Sequence, residues 1–305
     1  MSFSLLFSTF ANNILPIILL SGAGFLLGKL ITVDSRTLGR VVFYLFSPLL
    51  IFDLLIKSKL DFQQAIITIA YTATVIATLC ILAFVFGRLL RLERPMLLAV
   101  IITVAFGNTG NYGLPLVSFA FGEQALAYAT IYFVTTTILL NTIGILIASL
   151  GHMDLKSALL GLFKVPIIYA VALALLLNDT GFILPAPLVR TIDLAAGGSI
   201  PLMLVVLGLE LTHLEWSNSI RAISLGTFLR LIAGPIIGVI LTRAYHMDGV
   251  ARNGNIIQAS MPAAVATTVL ASEYKLEPSL VTAIVFMSTV LSPLTLTPLL
   301  IYLGR

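Results

Sequence analysis

The segment "GNTGNYGLPL", Gly107–Leu116, places two asparagines, a threonine, three glycines and a proline inside an otherwise apolar stretch. Amide and hydroxyl side chains in such a place can replace water around a ligand or around an unpaired backbone carbonyl. Gly107, Gly110 and Gly113 loosen the backbone, and Pro115 has no N–H to give to the preceding turn. The spacing predicts a helix from Pro95 to about Phe106, a short extended crossover, and a second half-helix opened by Pro115. In hydrocarbon an unpaired backbone group costs several kcal/mol, so such a break survives only inside protein or against a wet cavity.

A second stretch has the same character. In "NGNIIQASMPAAVATTVLASEY", Asn253–Tyr274, Pro262 follows Gln258 and Ser260, and Ala263, Ala264 and Ala266 give small-residue clearance. Asn108, Thr109 and Asn111 in the first break, and Gln258 and Ser260 in the second, are the candidate binding residues. Gly110, Gly113, Pro115 and Pro262 shape the breaks. Two interrupted spans at matching positions of two halves point to a binding site near the bilayer midplane. The N-termini of the second half-helices would aim positive dipole charge into it, favouring an anion without any Lys or Arg.

These residues must be positioned by membrane helices. Of 305 residues 59% are hydrophobic and only 10% charged, against roughly 25% charge in a soluble domain; mean hydropathy is +1.10. The expected fold is all-α and polytopic, with ten spans near 9–30, 36–57, 63–88, 95–118, 125–150, 157–177, 187–211, 219–245, 250–272 and 278–303. The first span has neither the charged leader nor the small-residue cleavage site of a signal peptide. "SPLLIFDLL" from Ser47 aligns with "IPLMLVVLG" from Ile200, and "GEQALAYATIYF" from Gly122 with "KLEPSLVTAIVF" from Lys275, both at an offset of 153. Residues 1–152 and 153–305 therefore read as two five-helix repeats. Because five is odd, the second copy enters the membrane from the opposite side, an inverted repeat of the transporter kind. At this offset Pro262 corresponds to Thr109, so the breaks in spans 4 and 9 coincide.

Charge placement orients the chain. With both termini outside, the inner loops hold ten Lys and Arg and the outer side six, which follows the positive-inside bias. The basic excess sits in short loops, so nucleic acid is not an expected partner. Arg230 lies near the middle of span 8, where insertion costs about 2.5–3.5 kcal/mol. Two kinds of role are open to it: an electrostatic one, satisfying the carbonyl ends of the first half-helices or drawing an anion, or a structural one, pairing or snorkelling. Asp53 and Glu210 lie near span ends, where interfacial solvation is the default, and Asp193 lies about two turns inside span 7. Spans 3, 4, 5, 8, 9 and 10 hold no Asp or Glu in their interiors, so a carboxylate proton relay is not expected in them. Cys80 is alone, and His152, His213 and His246 sit at loop borders without a ligand pair, so no metal or other cofactor is expected.

The N-T-x-x-x-G-L-P pattern of Asn108–Pro115 resembles the auxin efflux carrier family, whose plant members carry N-T-x-x-x-G-I-P. "IIQASMP" is similar to that family's I-x-Q-A-x-[LM]-P, and "SEY" matches its K-E-Y in the last two positions. The resemblance implies two intertwined five-helix repeats with broken, crossing helices 4 and 9, as in bile-acid symporters and sodium/proton antiporters. It implies a scaffold of spans 1, 2, 6 and 7, often a homodimer interface, and a mobile transport domain of spans 3–5 and 8–10. Substrates of the family are small organic acid anions, including auxin, malate and malonate. Plant members carry a long cytosolic insertion between spans 5 and 6; its absence points to a compact prokaryotic carrier in a bacterial inner membrane. The expected function is transport of a small organic anion by alternating access at the 4/9 crossover. A channel or receptor on the same architecture is the rival reading, while an intramembrane enzyme lacks any nucleophile–base pair or carboxylate dyad.

Overall fold

The computed structural model describes residues 3–58, 62–149, 160–212 and 217–304. The first half contributes α1 (Phe3–Asn13), α2 (Leu15–Leu30), α3 (Ser35–Lys57), α4 (Phe62–Leu89), α5 (Arg94–Ala105) and α6 (Thr109–Ala148). The second half contributes α7 (Pro166–Thr180), α8 (Ala186–Glu210), α9 (Ile220–Ala244), α10 (Gly249–Ala259), α11 (Ala266–Tyr274) and α12 (Pro278–Tyr302). Prolines occupy the first turn of α2, α5, α7, α8 and α12, where an N–H would have had no carbonyl partner. Asp34 caps α3 by accepting from the Arg36 N–H at 3.1 Å and from the Thr37 hydroxyl.

Six of these helices are long and apolar enough to cross a membrane, and the α1–α2 pair, bent by 48°, makes a seventh. The ten expected spans differ from that count for three physical reasons. α5 has only 12 residues, α10 has 11 and α11 has nine, about 14–18 Å each, short of a hydrocarbon core of about 30 Å. α7, which overlaps the expected span 157–177 and runs on to Thr180, is 15 residues long, and residues 150–159 lie outside the described ones. The second half of expected span 4 and span 5 as far as Ala148 fall in the single 40-residue α6. Gly122, at φ 73° and ψ −170°, bends that run in a region that L side chains rarely enter.

The outward faces are apolar, as in a helix solvated by lipid: Leu194 and Leu294 are largely exposed. Inside, one core gathers α4, α5, α9, α10 and α12 through Val75, Val100, Leu229, Ala259 and Ile284. Another core, around Ile51, Phe52 and Ile167, joins α3 to α7. Between them, Ile17 of α2 and Leu207 of α8 pack with Leu116 of α6 and Ile256 of α10. α2 runs so close to α8 that a Cβ on Gly208 would lie 1.8 Å from the Ser21 carbonyl oxygen, the small-residue approach that membrane helices use in place of a hydrophobic drive.

Candidate functional site: the helix crossover

Two extended stretches meet where α5 and α10 end. Gly107 and Ala263 form an antiparallel bridge. The Asn108 N–H donates to the Pro262 carbonyl at 2.7 Å, and the Ala264 N–H to the Phe106 carbonyl at 3.0 Å. Each interrupted helix thus satisfies backbone groups that the other leaves free, which is what a break inside hydrocarbon demands. Ser288 of α12 takes the Ala263 N–H at 3.1 Å.

The half-helices then depart. α6 leaves through a π turn at Thr109–Gly113, closed by the Gly113 N–H on the Asn108 carbonyl at 2.9 Å. The second half-helix therefore starts before Pro115, which sits in the first turn of the regular α-helical part from Leu114. Pro262 lies in the crossover itself and contributes its carbonyl.

Arg230 closes the other side. A π turn at Leu229–Ala233 interrupts α9 and re-aims this side chain. It is 1% exposed. Its Nε donates to Met261 O at 2.5 Å, Nη1 to Val104 O at 2.9 Å and Nη2 to Ala259 O at 2.8 Å. These carbonyls belong to the C-terminal ends of α5 and α10 and to the stretch that follows. All three lack the intrahelical N–H that a helix interior would provide. The guanidinium thus replaces the missing donors of two helix ends, with its positive charge at their negative poles.

The glycines act through close approach. Gly107, Gly110 and Gly113 are absent from the positive-φ residues. A Cβ on Gly107 would lie 2.6 Å from Arg230 Nη2, and one on Gly113 would lie 2.1 Å from Gln258 Oε1. Gln258 cannot easily retreat, because its Nε2 donates to Thr109 O at 3.1 Å and Ala129 O at 3.0 Å. Those two acceptors also fix which end of the amide is nitrogen. Gly113→Ala is therefore expected to cost about 1–3 kcal/mol by overpacking, read as a lower melting temperature of the purified protein. The loss caused by Gly113→Ala should be smaller in a Gln258→Ala background, which itself gives up the hydrogen bonds to Thr109 O and Ala129 O; a single variant melting like the wild type would mean that Gln258 moves freely.

Several buried polar atoms at the crossing have no partner. Asn108 Nδ2, Asn255 Oδ1 and Gln258 Oε1 are shielded and unpaired, as is Thr227 Oγ1, three residues before Arg230. Thr109 and Ser260 are buried beside them, although Ser260 Oγ turns back to its own helix, donating to Ile256 O at 2.7 Å. Asn111 faces away from this group, and its side chain lies against Glu210 of α8. Asn255 was absent from the sequence-based candidates. Its Nδ2 donates to Thr68 Oγ1 of α4 at 3.2 Å, and its separation of three residues from Gln258 on α10 was the available signal. Asp193 is half-exposed and pairs with Lys57 at 2.7 Å, which also pairs with Asp53 at 2.7 Å, tying α8 to α3.

The sequence profile of a family described as "Membrane transport protein" matches residues 9–301. An uncharacterized transporter of Methanothermobacter thermautotrophicus is 28% identical over 286 residues, covering 93% of this chain and 94% of the relative. An uncharacterized transporter of Methanocaldococcus jannaschii is 28% identical over 274 residues, covering 86% and 87%. With its crossed, broken helices and its apolar outer faces, the chain is an integral membrane protein and belongs to the membrane transport protein family, that of the auxin efflux carriers.

Proposed function

We propose that this protein is a secondary carrier that moves a small organic acid anion by alternating access at the crossover. The observation that carries the reading is Asn108 Nδ2, a buried amide donor with no partner at the mouth of the α6 half-helix. A buried donor left unpaired costs about 1–3 kcal/mol, a cost that a bound anion relieves. Arg230 supports the sign of the substrate. Its hydrogen bonds go to neutral carbonyls, so its charge is solvated without being cancelled. A unit anion about 6 Å away, at an effective dielectric near 20, gains about 3 kcal/mol from it.

In this reading ten spans form two inverted repeats, residues 1–152 and 153–305. The packing favours it: α2 lies on α8 as α7 lies on α3, and α4 lies on α6 as α9 lies on α12. Ser199 Oγ donates to Phe46 O at 3.0 Å, and these residues are 153 positions apart, as expected near a two-fold axis relating the halves. Spans 1, 2, 6 and 7 form a homodimeric scaffold against which spans 3–5 and 8–10 slide in an elevator motion.

A thermal-shift screen of the purified protein against mono- and dicarboxylates tests the binding half of this proposal. A ligand at 100 times its dissociation constant stabilises by about 2.7 kcal/mol; a screen in which no organic anion raises the melting temperature would count against it. Both termini lie outside in this reading, and the Gly151–Ser157 loop, outside the described residues, lies inside. Single cysteines replacing Ser2 or Ser157 in a Cys80→Ser background report this through an impermeant maleimide on intact cells. Position 2 should label and position 157 should not; the reverse pattern inverts the topology.

A further inference from the structure

Glu210, the last residue of α8, is the ionisable group that the crossover geometry leaves unused. α8 packs against the Thr109–Gly113 turn, and the Asn111 side chain of that turn lies against the Glu210 carboxyl. Oε2 is shielded and has no partner. α3 closes the other side, with the Cβ position of Gly39 only 4.0 Å from Oε1. Among the described residues the ion pairs within 4.0 Å are those of Lys57, and none reaches Glu210. The cations on the elements packed around it are Arg36, Arg40 and Lys57 of α3, Lys57 being paired with Asp53 and Asp193, and Lys29 of α2. Lys29 is engaged with the Thr212 carbonyl at 3.4 Å and lies over the Phe25 ring. The first crossover contributes no charged side chain, and its Tyr112 hydroxyl is bonded to Ser292.

An ionised carboxylate oxygen sheltered without donor or cation is costly, by several kcal/mol in real proteins. A metal cation would need about six oxygen ligands, whereas Glu210 and Asn111 offer one carboxyl and one amide. A proton needs only the carboxyl. We propose that Glu210 is a proton-binding site where α8 meets the first crossover, and that Asn111 couples its protonation to the crossover's position. Binding makes one O–H bond, with the proton taken from water on one side of the membrane and returned to water; no other bond changes.

The coupling rests on the carrier reading above. When the crossover moves against α8, Asn111 leaves Glu210, so the two positions hold the proton with different affinity. By linkage, protonation then biases the position. Transport acquires a pH dependence although spans 3–5 and 8–10 carry no interior carboxylate.

Infrared difference titration of the full chain in lipid tests the site without any substrate. The wild type should show a protonated-carboxyl stretch that disappears as pH rises and that is missing in Glu210→Gln; Asn111→Ala should titrate at a displaced pH. Identical titrations of wild type and Glu210→Gln, or of wild type and Asn111→Ala, would overturn the proposal. If the glutamine variant does not fold, Glu210→Asp withdraws the carboxyl from Asn111 by one methylene. A displaced band is then expected, and an unchanged one is fatal. A titrating band in a protein that moves no anion would retire the carrier reading and leave the proton site standing.

Discussion

Arg230→Met is expected to prevent recovery of a folded protein. The substitution preserves apolar volume but strands the carbonyls of Val104, Ala259 and Met261, each now paired with the guanidinium. At about 1–3 kcal/mol per unsatisfied buried acceptor the loss is on the order of 5 kcal/mol, comparable with the roughly 5–15 kcal/mol that holds a protein folded. Arg230→Lys should fall between the two. A single ammonium cannot serve three carbonyls spread around a planar fork, yet it can still reach one. Size-exclusion profiles in mild detergent read the ranking directly. A monodisperse Arg230→Met protein with the wild-type melting temperature would show that the two helix ends are satisfied by other means.

Asn108→Ala should have the opposite signature. Its Nδ2 contributes no hydrogen bond to the fold, so removing the amide costs little stability, while transport should fall by at least about tenfold, the equivalent of one hydrogen bond near 1.4 kcal/mol. Gln258 separates the two kinds of role. Gln258→Glu keeps Oε1 but loses both donors to Thr109 O and Ala129 O, and places a carboxylate against those carbonyls. It is expected to lose stability and transport together. Equal melting temperatures for Asn108→Ala and wild type, with a lower one for Gln258→Glu, are the pattern that assigns one amide to the ligand and the other to the fold.

The positions of both breaks were legible because Gly, Pro and Asn are the residues that an apolar helix excludes, and they cluster at 107–115 and 253–262. The cost of a central arginine likewise placed Arg230 against protein or water rather than lipid, and one role open to it, satisfying half-helix carbonyl ends, is the geometry observed. What composition could not express is how the glycines act. Gly107 and Gly113 read as points of backbone freedom, whereas they make room for Arg230 and Gln258, residues more than a hundred positions away. The π turns at Thr109–Gly113 and Leu229–Ala233 are similarly invisible, because an added residue shows only as a phase shift in hydrophobic periodicity, and a helix apolar on nearly every face has no periodicity to shift. Glu210 was given interfacial solvation as its default for being near a span end. Its contact with Asn111 depends on how α8 meets the crossover, which only the tertiary packing reveals.

The crossing of α5–α6 and α10–α11 is the proposed place where an organic anion is bound and carried. Counterflow in proteoliposomes reads this step: vesicles loaded with excess unlabelled carboxylate are diluted into a trace of the labelled anion. Transient uphill uptake by the wild type that depends on the internal anion is expected, as is its loss in a stably folded Asn108→Ala protein. Uptake indifferent to the internal anion, or undiminished in Asn108→Ala, would contradict it.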